Sequence, residues 1–409
     1  MKGKLARRWF LIGFFSLIID AFYGSLMRYK IAYDFPFFHQ KNLLNAHSHF
    51  AFTGWVCHML YSALSLMMMD YVSNKQFVKY RVLIYANLAA AYGVLLGYTF
   101  DGYKFFSNFF MCLIAVVAIA YAICFIIDSK KMPKGFAPRY WAISGLILNI
   151  VSLFGPILLA IMIYTKTITS DWYLGELYYY LHFQYSGFFF FASMAIIINV
   201  LPADFPSLKK YFYIFIATVV PTFVLSVLWA KPPLWLYIIT VIASFTETIA
   251  WIVLLTKAVP YYRRRKHKTP AWIRYILVFS ALCLSLKYVL QAISVIPSLS
   301  NLVFGFRPIV IAYLHLVLLG VYSLFIIGFY FARYLNRATN FARIATMIFL
   351  IGVFINEAFL AVQGFAAFAY VPIPYINELL LLAALTLLAG AILLFYSQLR
   401  HKLNSVPTK

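Results

Sequence analysis

The sequence is poor in charge, and above all in negative charge. Only 11% of its 409 residues are charged, and Asp and Glu together number 11. Hydrophobic residues make up 64% of the chain, which leaves too little polar surface to coat a soluble globule. The composition therefore excludes a soluble protein and indicates a polytopic membrane protein.

Cysteine is also scarce. Cys57, Cys112, Cys124 and Cys283 all fall in apolar segments and have no paired spacing. A disulfide framework or a zinc site would require paired cysteines, so we interpret these four as buried packing residues.

Twelve apolar runs are long enough to cross a bilayer. A hydrocarbon core about 30 Å thick requires about 20 helical residues at 1.5 Å each. We therefore predict an all-α fold, with one membrane domain over residues 1–409. Its transmembrane helices are expected near residues 8–27, 43–70, 81–100, 105–127, 141–164, 178–201, 211–229, 234–258, 272–296, 308–332, 342–365 and 377–399.

The net charge of +23 has two explanations, and the distribution of Lys and Arg decides between them. Nucleic-acid binding requires a basic face, whereas the positive-inside rule concentrates basic residues in cytoplasmic loops. With the N-terminus inside, the outer loops contain only Arg28, Lys30, Lys41, Lys104, Lys166, Lys231 and Arg307. Lys287 lies within a helix, and all the others fall inside. We predict cytoplasmic termini, a bacterial plasma membrane, no nucleic-acid partner, and lipid contact for the run 263–268.

Three histidines occupy matching places in three predicted helices. His47, His182 and His315 lie near the outer ends of helices two, six and ten, which all run inward. Polar groups within a membrane are costly and commonly functional, and neutral imidazole ligates haem iron or copper. The pattern favours metal or haem ligation. The alternative is that each histidine makes a structural hydrogen bond to another helix.

Helix two contains two further histidines, His49 and His58. Residues two apart on a helix point about 200° from each other, so His47 and His49 cannot easily bind one metal together. His58 lies about three turns deeper, on the face of His47. We favour His47 as the ligand. His49 remains the alternative, because Gly follows it at the same +5 distance as after His315.

The arrangement resembles the catalytic subunit of the haem-copper oxidases, and its motifs are most similar to the nitric-oxide reductase branch. The matching segments are Asn45-Ala46-His47 with Gly54, His182 with Gly187-Phe188, and His315 with Gly320 and Tyr322. The resemblance implies a low-spin haem b between His47 and His315 and a second-metal ligand at His182. It also implies electron transfer, or reduction or sensing of O2 or NO, with an electron-donor or accessory subunit.

The sequence departs from that family at the reducing centre. Tyr313 stands where the family has the proximal ligand of a high-spin haem, and residues 203–240 contain no histidine. Matching positions therefore do not assemble a copper site, and non-haem iron is equally unsupported. A second haem would depend on His182, His49 and Tyr313, since tyrosine ligates haem iron in catalase. Otherwise His49 makes a polar contact and Tyr313 is an interfacial aromatic residue.

Haem propionates require cationic or hydrogen-bonding partners. The resemblance implies arginines between helices eleven and twelve, but residues 366–375 contain none. We predict Arg307 and Lys41, just outside the two ligand helices, as substitutes. Interfacial snorkelling is the alternative role for both residues.

Ionisable residues deep in the bundle allow a second function. Glu247 in helix eight and Lys287 in helix nine lie at comparable depth and are predicted to pair. With His182, they would line the polar pathway of a cofactor-free, proton-coupled transporter or channel.

Overall fold

The computed structural model describes residues 2–202, 204–265, 269–300, 306–333 and 338–399. Regular structure in these ranges is entirely helical. Twelve helices are long and apolar enough to cross a membrane, which confirms the predicted number. The basic residues Lys266, Lys268, Arg337, Arg400, Lys402 and Lys409, which we predict on the inner side, lie outside the described residues.

We number the twelve helices α1 to α12 in chain order. They are Lys2–Ala32, Gln40–Met68, Asn74–Asp101, Phe105–Ser129, Ala137–Tyr164, Ser170–Ile198, Lys209–Ala230, Leu234–Arg264, Ala271–Ile293, Arg307–Arg333, Asn340–Phe368 and Ile376–Leu399. Several begin before the predicted apolar run because polar capping residues precede it. Ser73 caps α3 through a reciprocal bond with Gln76, and Thr339 accepts from the Ala342 amide at the start of α11.

Three helices form the centre of the bundle. The most apolar stretch of α2 is wholly buried and that of α6 is 89% buried, whereas those of α4, α5 and α9 are 33% buried. α10 contacts both α2 and α6. The other helices surround this trio. α1 packs on α12 and α12 packs on α11, and α10 joins α11 to α9. From α9 the helices α8, α7, α5, α4 and α3 follow, each packed on the one before it.

Both described ends of the chain lie at one end of the bundle. Arg7 donates to the Gln398 carbonyl oxygen at 2.9 Å, which joins the start of α1 to the end of α12. At the same end Asp128 pairs with Lys79 and Lys131, at 2.7 and 3.0 Å. We name this the basic end. Since α2, α6 and α10 run toward the basic end, His47, His49, His182 and His315 lie in the opposite half.

Two glycines bring α11 and α12 into close contact. A Cβ at Gly390 would lie 2.6 Å from the backbone of Phe349, and one at Gly352 would lie 2.9 Å from the Leu387 amide nitrogen. Small residues allow membrane helices to approach closely where a larger side chain would separate them.

We expect Gly390→Ala to lower the thermal unfolding temperature, because the new methyl group would overlap the Phe349 backbone. Overpacking of this kind costs about 1–3 kcal/mol. Gly175→Ala in α6 is the matched control, since no described residue places a heavy atom within 4 Å of its Cβ position. Circular dichroism in detergent measures both midpoints. Equal midpoints for Gly390→Ala and the parent protein would contradict the close α11–α12 contact.

Candidate functional site

Each central helix changes from α to π geometry just after a histidine. The π segments are Ala51–Cys57 in α2, Phe183–Phe189 in α6 and Leu316–Ser323 in α10. His182 and His315 immediately precede their segments, and His49 stands two residues before its own. π-Helical turns are rare and are frequent at functional sites. The geometry thus distinguishes the three helices that the histidine pattern selects.

One glycine in each π segment permits a close approach. A Cβ would lie 2.4 Å from the Phe50 ring at Gly54, 3.0 Å from Leu148 Cβ at Gly187, and 2.9 Å from Cys283 Sγ at Gly320. These glycines follow His49, His182 and His315 at the same +5 spacing. That repeated spacing is the only sequence signal we find for the π segments.

The three π segments contact one another in pairs. Trp55 Nε1 donates to Ser323 Oγ at 2.8 Å, which joins α2 to α10. Tyr322 of α10 donates its hydroxyl to a backbone carbonyl of α6. The Phe52 and Phe189 rings, 5.4 Å apart, join α2 to α6. The histidine-bearing halves of the three helices are therefore held in fixed relative rotation.

Side chains also bond to backbone carbonyls in and beside the π segments. Thr53 Oγ1 donates to the His49 carbonyl at 2.7 Å, and Asn87 of α3 donates to the Thr53 carbonyl at 3.0 Å. In α10, Ser323 Oγ donates to the Leu318 carbonyl at 2.8 Å. Such bonds satisfy carbonyls that a continuous α-helix would pair with its own amides.

His47 is bonded to α1. Its Nδ1 donates to the Asp20 carbonyl oxygen at 3.1 Å and lies 3.0 Å from the Asp20 carboxylate Oδ1. Asp20 is 6% exposed, so this carboxylate is directed at His47 within the bundle. With the proton on Nδ1, Nε2 keeps its lone pair. Metal-ligating histidines are oriented by partners of this kind.

His315 is bonded in the same manner. Its Nδ1 donates to the Ile311 carbonyl oxygen, one turn earlier in α10, at 2.8 Å. His47 contributes to the electrostatic surroundings of His315. The two predicted axial ligands thus lie on helices that contact each other, and each has Nδ1 engaged by the protein.

His49 faces the other side of α2. Its ring stacks on Tyr98 of α3 at a centroid distance of 5.0 Å and approaches Tyr180 of α6 at 6.3 Å. His49 Nδ1 is buried and has no hydrogen-bond partner among the described residues. The contacts separate His49 from the pair formed by His47 and His315, as expected for residues two apart on a helix.

His182 makes a hydrogen bond to a neighbouring helix. Its Nε2 donates to the Val219 carbonyl oxygen at 2.7 Å. Val219 lies where α7 changes from α to 3-10 geometry at Pro221. The hydrogen bond therefore occupies the His182 nitrogen at a break in α7. His58 likewise donates Nε2 to the Trp9 carbonyl oxygen of α1 at 2.9 Å.

Tyr313 faces a polar cluster distinct from the histidine pair. Its ring contacts that of Tyr185 in α6, with the ring centroids 6.1 Å apart. Beyond it, Lys287 Nζ donates to Gln291 Oε1 at 2.7 Å, and Gln291 Nε2 donates to Glu247 Oε2 at 2.8 Å. Glu247 and Lys287 are each 2% exposed. The predicted pair of opposite charges is thus bridged by Gln291, a residue that the sequence analysis missed.

A chain of polar side chains leads from the π segment of α6 toward the basic end. Its members are Gln184, Asn149, Tyr61, Tyr121, Tyr80 and Asp128. Hydrogen bonds of 2.7–2.9 Å join them, with two exceptions to a side-chain path: Tyr121 donates to the backbone carbonyl of Tyr61, and a ring contact of 5.7 Å joins Tyr121 to Tyr80. Asp128 carries this chain to Lys79 and Lys131 at the bundle end.

The predicted propionate partners lie at the surface. Lys41 and Arg307 are both exposed and form no ion pair with any described residue. Arg28 of α1, which the sequence analysis counted only as an outer charge, is partly buried. Its charge acts on both His47 and His315.

The surroundings of His47 and His315 are not closely packed on every side. A Cβ at Gly24 would meet only the His47 ring, at 3.4 Å from Cε1 and 4.0 Å from Nε2. His47 retains 18% of its side-chain surface. The stretch Arg307–His315 contains no buried residue. Because that stretch covers more than two helical turns, part of its accessible surface faces into the bundle. These features fit a haem between the two rings.

No cluster of three or more His, Cys, Asp or Glu side chains suited to a metal ion occurs in the described ranges.

The chain matches no protein-family model, and no curated protein matches it. The fold and the site together define an all-helical polytopic membrane protein with an intramembrane histidine pair.

We expect the Trp55–Ser323 bond to contribute to stability through its burial. Ser323→Ala leaves the indole N–H unpaired, which costs about 1–3 kcal/mol of unfolding free energy. Trp55→Phe removes the donor, so the double variant is expected to lose less than the sum of the two single losses. Unfolding titrations with sodium dodecyl sulfate give the unfolding free energy of the parent protein, the two single variants and the double variant. Additivity within about 0.5 kcal/mol would contradict the coupling between α2 and α10.

Proposed function

We propose that this protein is a haem b-binding membrane protein that transfers electrons, with one haem held between His47 and His315. The observation that carries the proposal is the matched bonding of the two imidazoles. Each uses Nδ1 for a protein acceptor, which leaves Nε2 of both rings for iron.

The chain's own residues have defined parts in this arrangement. Asp20 orients the His47 ring from α1, and the Ile311 carbonyl orients the His315 ring from within α10. Gly24 lies beside the His47 ring and adds no side chain there, since a Cβ at this position would be 3.4 Å from His47 Cε1. A haem with two imidazole ligands supplies one-electron transfer, and the apolar bundle around it excludes water.

The low-spin site is the part of the oxidase resemblance that these contacts support. His182 Nε2 donates to the Val219 carbonyl oxygen, so it is not free for a second iron without rearrangement, and the Tyr313 ring packs against Tyr185. We therefore assign a single haem and no copper or non-haem iron. O2 or NO reduction, or gas sensing, would require a rebuilt second centre that includes His49.

The orientation and partners follow from the charge pattern. The basic end faces the cytoplasm of a bacterial plasma membrane in this proposal, with anionic lipid around its Lys and Arg residues. The histidine pair then lies in the outer half of the bilayer. An electron-donor or accessory subunit would exchange electrons with it from the outer side.

The purified protein is expected to have a Soret band and sharp alpha bands on reduction. His315→Ala and His47→Ala should each abolish the low-spin spectrum, because each removes one axial ligand. His39→Ala is the matched control, since His39 is exposed in the loop before α2. Absorbance spectra of the four proteins measure this. An unchanged His315→Ala spectrum would exclude the proposed pair.

Carbon monoxide should leave the spectrum of the reduced protein unchanged. Both axial positions of the iron are taken by imidazole, so the gas has no open coordination site. A difference spectrum before and after addition measures this. A shifted Soret band would indicate a five-coordinate haem, and His49→Ala and Tyr313→Phe would then identify its ligand.

A second candidate function rests on the buried charges. Glu247, Gln291 and Lys287 form a hydrogen-bonded group in the membrane interior, near His182. Intramembrane ionisable residues commonly mark ion or proton pathways. A proton-coupled transporter or channel without cofactor would use this group. A colourless, correctly folded preparation would favour this candidate over the haem protein.

A further inference from the structure

The histidine site includes one cation without an ion-pair partner. Arg28 forms no salt bridge or hydrogen bond with any described residue, although it is partly buried in α1. A cation removed from water is costly unless an anion neutralises it. The nearest acid on the same helix, Asp20, is already engaged with His47.

Three residues form one stripe on α1. Asp20, Gly24 and Arg28 are spaced four residues apart, so they lie on one face with about 6 Å of rise between neighbours. The first bonds His47, and the second faces the His47 ring. Arg28 therefore continues the same lining away from the basic end.

The positive charge of Arg28 acts on both proposed ligands, including the one that α10 supplies. It influences both His47 in α2 and His315 in α10. Because its charge reaches both ligands, the guanidinium is suited to the anionic edge of a molecule held between them. Arg307 and Lys41, in contrast, are exposed at the ends of their helices.

We propose that Arg28 binds a carboxylate of the ligand held between His47 and His315, namely a haem propionate. This inference rests on the haem-binding function proposed above. The guanidinium offers a planar fork of N–H donors that matches a carboxylate. Binding would pair the Arg28 charge within the membrane, and Gly24 would keep the path between ring and carboxylate clear.

The test compares haem with haem dimethyl ester, whose propionates carry no charge. Both are titrated into detergent-purified protein that has been produced without haem, and the Soret absorbance gives each dissociation constant. The parent protein should prefer haem by roughly 10- to 100-fold, the range expected for a hydrogen bond to a charged group. Arg28→Gln should bind both forms equally, whereas Arg28→Lys should retain part of the preference.

Arg307→Gln and Lys41→Gln are the matched controls, and both should keep the full preference. If Arg307→Gln or Lys41→Gln lost the preference for haem while Arg28→Gln kept it, the Arg28 assignment would be wrong. The carboxylate contact would then belong to the residue whose substitution removed the preference. Titration of the parent protein alone also tests the proposal, since equal affinity for haem and haem dimethyl ester would refute a carboxylate contact. If the parent protein binds haem and haem dimethyl ester equally well, only the role of Arg28 is refuted. Failure to bind either form refutes the haem function as well.

Discussion

A π turn leaves backbone carbonyls that the helix itself does not pair, and in a membrane interior other protein groups must satisfy them. In this protein the side chains that do so come from the helix itself and from its neighbours. Asn87 reaches from α3 to the Thr53 carbonyl, and Tyr322 donates across to α6. The π geometry of one helix therefore depends on the position of the next. The site depends on this mutual bonding, because it fixes the direction in which each histidine points.

The same rotation separates two chemically different regions on α10. His315 has Nδ1 bonded within α10 and is influenced by His47 and Arg28, whereas the ring of Tyr313, two residues earlier, packs against Tyr185 of α6. One helix thus serves a site suited to a metal ligand on one side and a hydrogen-bonded polar cluster on the other. Both regions are charged or polar and lie within membrane-spanning helices, where each unsatisfied group is costly.

The twelve helices could be predicted from the sequence because hydropathy over about 20 residues is a strong local signal. The depth of the histidines also follows from their position within each run. The π segments could not be predicted, since they depend on contacts between helices. The place of Arg28 beside the site could not be predicted for a related reason. A basic residue near a helix end resembles an interfacial anchor until the helices that face it are known. Likewise, the sequence suggested a direct Glu247–Lys287 pair, and only the packing of α8 on α9 puts Gln291 between them.

The residues around the histidine pair enter the membrane at very different times during synthesis. Trp55 and Ser323, which join α2 to α10, are 268 residues apart in the chain. The N-terminal part, with Asp20, Arg28 and His47, is therefore complete while α10 has not yet been made. Until α10 inserts, Asp20 and Arg28 of α1 and His47 of α2 lack the α10 side of the site. The site between His47 and His315 is complete only after the tenth helix inserts, so any group bound there would be loaded at a late stage of biogenesis, when most of the bundle is already assembled.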